Sequence, residues 1–166
     1  MRINLTKNFY LDEFTFSETA IRHGVEIVVE EGSLQFKRLQ RYCETFAQPL
    51  RDVCGPLNIV SGYRPLEVNR LVGSGDGSQH IECLAGDVVP VEVTPLELCE
   101  AAIDLGLPYD QLIHEFGRWC HGSIAEEDEQ PRGEVLTAYK FRPRVGKVFT
   151  KYEHGLHTIE SLTSGS

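Results

Sequence analysis

Residues 78–87 read SQHIECLAGD and residues 110–123 read DQLIHEFGRWCHGS, and these two stretches decide the reading of the chain. The first carries His80 and Asp87, seven residues apart; the second carries His121, with Glu115 six residues before it. Two neutral imidazoles and a carboxylate make a three-ligand set for Zn²⁺ that leaves the fourth tetrahedral position open, as in a catalytic zinc site. Glu115 offers a carboxylate that can act as general base beside such a site. Alone, the same residue is equally an edge-strand charge.

The pattern around these residues is that of strands. Leu84–Val89 is an apolar run ended by Pro90, and 109–116 and 118–124 resemble two strands broken around Gly117. Side chains two apart on a strand share a face, so Trp119, His121 and Ser123 are expected to point together while Cys120 and Gly122 point away. Glu115 joins the His121 face if Gly117 marks a turn. His114 is read as its solvent-facing neighbour.

Upstream, Leu57–Val60 is a short strand candidate, and Pro65 opens a helix over LEVNRLV, proline being tolerated in a first turn. Gly73–Gly77 is a flexible loop leading to His80, without the spacing of a phosphate-binding motif. Leu34, Leu39, Tyr42, Phe46, Leu50 and Val53 recur at helical steps, so 33–53 is expected to be one core helix closed near Gly55, with Pro49 kinking its last turns. Ser17 and Gly24 bracket a shorter helix, preceded by an aromatic-rich lead-in over 9–16. Thr94-Pro95-Leu96-Glu97 is a capping box that opens a helix to about Leu105. Downstream, Glu126–Glu129 is an acidic loop, Val135–Phe141 a last strand, and 161–166 a flexible tail.

At 166 residues the chain is the size of one domain, expected over residues 1–160. Its net charge of -9 argues against sequence-independent nucleic-acid binding and gives no attraction to an anionic membrane or cell wall. No run of 18 apolar residues and no apolar secretory leader is present, so the protein is expected to be made in the cytoplasm without a signal peptide and without membrane insertion. Five cysteines with no CxxC spacing are expected to be reduced thiols.

SGYRP (61–65), VNRLVGSGDGSQH (68–80), Asp87 and DQLIHEFGRWCHGS together resemble the zinc D-alanyl-D-alanine carboxypeptidases of peptidase family M15, and most nearly its phage endolysin-like murein peptidases. NFYLDEFTFSETAIRHG and RGEVLTAYK are also similar to that branch, so the resemblance runs from about Asn8 to Lys140. It implies an α+β domain of the Hedgehog/DD-peptidase type, an antiparallel sheet carrying the zinc site with N-terminal helices packed on it. It puts the metal on His80, Asp87 and His121 and the catalytic acid on Glu115. The implied substrate is a peptidoglycan stem peptide, cut by attack of zinc-activated water at the cell wall. Arg64 is a candidate for pairing with a substrate carboxylate, or alternatively a surface ion-pair partner. Ser78 and Gln79 are candidates for binding substrate or steadying a ligand. The alternative is a non-catalytic phage virion or assembly protein that keeps the fold and the zinc.

Three departures from the family pattern stand out. Arg118 occupies the place, three residues before the last histidine, where some members carry the acid. Cys83 replaces the glycine of SQHxxGxAxD, and Cys120 and Gly122 replace the valines of WVHVS. A thiol at Cys83 or Cys120 is a competing zinc ligand, or simply core.

Overall fold

The structure, a computed structural model, describes residues 2–164. One six-stranded sheet forms its centre. Its strands are β1 (Leu57–Ser61), β2 (Ala85–Pro90), β3 (Tyr109–Glu115), β4 (Trp119–Ile124), β5 (Glu134–Phe141) and β6 (Phe149–His154). They lie in the order β1-β2-β4-β3-β5-β6. The four strands at the β1 end are antiparallel, as expected, but β5 joins β3 in parallel. The strands that carry the site thus form the expected antiparallel sheet, and β5 makes the whole sheet mixed. The loop after β4 carries the chain back to the start of β3, so that Gln111 pairs Glu134 and Glu115 pairs Ala138.

Helices cover the back of the sheet. α1 (Leu11–Thr15) and α2 (Glu18–His23) lead into α3 (Leu34–Tyr42), a π turn over Cys43–Ala47, and α4 (Gln48–Cys54). α5 (Leu66–Leu71) follows β1, α6 (Pro95–Asp104) precedes β3, and α7 (Ile159–Thr163) comes last. Their ends follow local chemistry. The Ser17 side chain accepts from Ala20 N–H and Gly24 closes α2 at φ 68°. Thr94 and Glu97 form the reciprocal capping box of α6.

The expected long core helix exists, but its irregularity lies before Pro49 rather than after it. Proline lacks the N–H and its ring crowds the carbonyl one turn back. The chain widens into the π turn, closed by Gln48 N–H donating to Cys43 O, instead of kinking. The aromatic lead-in contains α1, whose buried Leu11 and Phe14 join Phe9, Leu39, Tyr42 and Phe46 in the main core. Beyond β5 the edge strand β6 and the short α7 were not expected. Thr158 caps α7 through Ser161 N–H, so Ser161–Thr163 of the expected tail are helical, while Gly165 and Ser166 lie outside the described residues.

The helices press closest behind β2 and β4. Gly86 and Gly122 are direct partners across these strands. A Cβ on Gly86 would stand 2.8 Å from the Tyr42 hydroxyl, and one on Gly122 would stand 2.2 Å from the Phe46 ring. The departure at Gly122 therefore has a packing cause: Phe46 fills the space that a valine would take.

Candidate metal centre

Asp87 and His121 are directly opposed residues of β2 and β4, adjacent to the glycine pair and pointing to the other face. Their backbone is rigid on both sides, since both strands are paired to neighbours and buried. His80 reaches the same point from a helical turn at the end of the glycine-rich loop. That turn closes as a Schellman motif: Leu84 N–H donates to Gln79 O at 3.1 Å and Cys83 N–H to His80 O at 3.4 Å. The closing residue must be left-handed, and Cys83 has φ 61°. The family's glycine suits that position, whereas cysteine holds it at a cost of roughly 1 kcal/mol.

The SGYRP segment grips His80 by two atoms. Gly62 O accepts from the ring at Nδ1, 2.7 Å away, and Arg64 N–H donates to the His80 carbonyl at 3.1 Å. The first bond fixes the tautomer and turns Nε2 toward the site. There His80 Nε2, His121 Nδ1 and Asp87 Oδ1 converge. His121 Nδ1 lies 2.9 Å from Asp87 Oδ1, and His80 Nε2 lies 3.3 Å from both. The three ligand atoms fall within 4.8 Å of one another, the one such group of at least three His, Cys, Asp or Glu side chains among the described residues.

Electrostatics suit a cation at this point. Burial lowers the pKa of His80, with Asp87 only partly opposing it, so the imidazole keeps a free lone pair. Burial works against ionisation of Asp87, yet His80 and His121 hold it well below the ordinary carboxylate range. The donor set of two imidazoles and one carboxylate, buried and backed by a fixed tautomer, fits zinc.

These residues line a cavity of about 550 Å³ together with Arg64, Ser78, Gln79 and Glu115. Every site residue expected from the sequence is therefore on one wall or another. Glu115 gets there through the β3–β4 hairpin. Phe116 (φ 56°) and Gly117 (φ 68°) turn the chain, Arg118 N–H donates to Glu115 O, and Glu115 pairs Trp119. Since Ile113 pairs His121, Glu115 stands diagonal to that ligand on the same face. Burial, and next the charge of Asp87, push the Glu115 carboxyl up to about 7, with His121, Arg64 and Trp119 pulling the other way. Arg118 lies in the turn and is not among the residues lining the cavity.

Arg64 is no surface residue: its side chain is 16 % exposed and stands 3.6 Å from Asp87. Its Nε has no hydrogen-bond partner. The Gln79 amide is engaged, donating to Asp110 Oδ2 at 2.9 Å. Asp110 also accepts from Arg132 at 2.8 to 3.0 Å through backbone and guanidinium, so an ion pair between the buried Asp110 and the exposed Arg132 steadies the residue next to His80. Arg132, Trp119 and Tyr152 complete the walls. None of the three was singled out as a site residue. Tyr152 and Arg132 carry no sequence signal, because parallel addition of β5 and the return of β6 bring them in.

Neither thiol competes for the site. Cys83 is buried in the core with its pKa pushed up to about 12, first by burial. Burial likewise pushes Cys120 up, and it points into the helix-covered face. His114, expected at the surface, is buried on that face. Its Nδ1 lies 3.0 Å from His157 O, under the C-terminal segment.

A comparison with protein families matches residues 7–123 to the family described as Peptidase M15. The match spans more than two thirds of the chain, which belongs to that family. Peptidases of this family are zinc-dependent, and the His80, Asp87 and His121 cluster can hold the ion. No curated protein matches the chain. Among the described residues no helix is long and apolar enough to cross a membrane.

Proposed function

We propose that this zinc metallopeptidase hydrolyses peptidoglycan stem peptides. His80, Asp87 and His121 hold the metal, Glu115 is the general base, and Arg64 orients the substrate. When bound, zinc supplies Lewis-acid polarisation to the scissile carbonyl and to the attacking water. Glu115 accepts the water proton and delivers it to the leaving amine, a cycle that a carboxyl tuned toward neutrality performs in both directions. Arg64 neutralises part of the Asp87 charge and offers its remaining donors to a substrate carboxylate. Gln79, held by Asp110, keeps the loop before His80 in place. Ser78 lines the same wall and offers a hydroxyl to the substrate backbone.

The observation that carries this reading is the pair of carboxyl groups in one cavity. Asp87 is held ionised between two histidines while Glu115 is pushed up to about 7. Such a divergence separates a ligand from an acid–base catalyst. The peptidoglycan assignment draws on the family resemblance and on Arg64, suited to a free carboxylate of a stem peptide. The site of action is then the cell wall. Defined muropeptides incubated with the zinc-loaded protein and identified by mass test it and name the bond. Glu115→Gln should keep stoichiometric zinc and release no product. Full activity in that variant removes the proposed base, and zinc binding with no cleavage by the native protein favours the non-catalytic virion role.

A further inference from the structure

Residues 135–152 contain five cations, Lys140, Arg142, Arg144, Lys147 and Lys151, and no Asp or Glu. The other 11 Lys and Arg face all 25 Asp and Glu, of which only Glu134 and Glu153, at the base of the two strands, belong to β5–β6, so an acidic body carries one basic hairpin. All five cationic side chains are exposed, and none joins an ion pair among the described residues. A surface arranged for solubility alone intersperses charges of both signs. Here the signs are segregated, on the stretch of chain that lies beyond the family match.

The hairpin is continuous with the cavity. Glu115 pairs Ala138, and Ala138 pairs Tyr152, so these three stand side by side across β3, β5 and β6 on the cavity face. Lys140 is two residues beyond Ala138 on that same face, with its ammonium 4.8 Å from the Phe116 ring. On the opposite face of the hairpin Phe141 packs against Phe149 at 5.4 Å, and Lys151 lies over Phe141. Arg142, Arg144 and Lys147 then crown the turn, beside the fully open Val145.

We propose that the β5–β6 hairpin is the docking surface for the anionic peptidoglycan sacculus whose peptide enters the cavity, an inference that rests on the peptidase function proposed above. Charge complementarity selects this occupant. Stem peptides bear free carboxylates along the whole polymer, and charges are felt only over about 8 Å at physiological salt. An acidic body approaching that polymer is attracted only where the basic hairpin faces it, and this orientation also presents the cavity mouth. The negative balance of the whole chain, which argues against attraction to a wall, is thus reversed locally at the one place where contact is needed.

The test compares the zinc-loaded native protein with Arg142→Gln/Arg144→Gln/Lys147→Gln and with Arg142→Lys/Arg144→Lys. Pelleting with purified sacculi and hydrolysis of a soluble muropeptide are measured side by side. The triple variant should pellet about tenfold or more weakly at low salt, the lysine variant should pellet like the native protein, and all three should hydrolyse the soluble fragment equally. Equal pelleting of the triple and native proteins overturns the inference and leaves the peptidase function intact. Tighter native binding to random-sequence duplex DNA than to sacculi also overturns it. Failure of the native protein to cut any soluble muropeptide removes the substrate assignment instead, and the pelleting comparison then judges the hairpin on its own.

Discussion

The two halves of the sheet are built for different work. β1, β2, β4 and β3 are hydrogen-bonded on both sides except at the β1 edge, and β2 and β4 are almost wholly buried. They carry Asp87, His121 and Glu115. β5 and β6 extend the sheet outward to an edge strand whose residues are mostly exposed, and they contribute Tyr152 to the cavity wall. Groups that must be fixed to a fraction of an ångström sit on strands clamped by helices, whereas the groups proposed to meet a polymer sit on the edge. The family match covers the first half and stops before the second.

Substitutions can break that contrast, and the largest effects should fall on the inner half. Asp87→Asn should reduce both bound zinc and peptide hydrolysis to background, read by metal analysis of the purified protein. A variant with full zinc occupancy would remove Asp87 from the ligand set. Glu115→Gln should follow, lowering kcat about 10²- to 10⁴-fold with zinc retained. Gly122→Val should cost about 3 kcal/mol by driving a methyl group into Phe46. The urea midpoint measures that loss, and Phe46→Ala in the same chain should recover part of it. A double variant no more stable than the additive sum would show that the two positions do not meet.

A subtler comparison uses pH on the metal-free protein. Glu115 is raised from 4.5 to about 7 in the folded state, so the fold binds this proton more tightly than the unfolded chain does. Native stability therefore loses this contribution as pH rises from about 4.5 to about 7, and Glu115→Gln escapes the loss. The gap in unfolding free energy between variant and native protein should widen by about 2 kcal/mol over that window. A constant gap would mean that the carboxyl is not raised. The smallest effect belongs to the outer half. Tyr152→Ala should raise KM about fivefold with kcat nearly unchanged, because it removes wall area and no reacting group. A large fall in kcat would move Tyr152 into the chemistry and erase the division between the halves.

What the sequence made legible follows the same division. The β3–β4 hairpin was readable because alternation on both sides of Gly117, once that glycine is read as a turn, puts Glu115 and His121 on one face. Ser17, Gly24 and the Thr94–Glu97 box marked helix ends because capping is local chemistry. β6 was not readable, since an edge strand exposed along nearly its whole length has no buried alternation to display. His114 looked like a surface residue because its cover, residues 155–159, arrives from some 40 positions away. Cys83 looked like a threat to the metal because a residue's letter does not reveal a left-handed backbone turning its thiol into the core.

The contact between Phe46 and Gly122 has a consequence for how this protein can change over generations. The residue behind a metal ligand and the aromatic ring on a helix some 75 positions earlier form one unit of inheritance. Neither can grow unless the other shrinks. A lineage that restores valine beside His121 must first give up the phenyl ring, passing through a form with a hole in its core. Cysteine at 83 meets no such barrier, and glycine can return there in a single step.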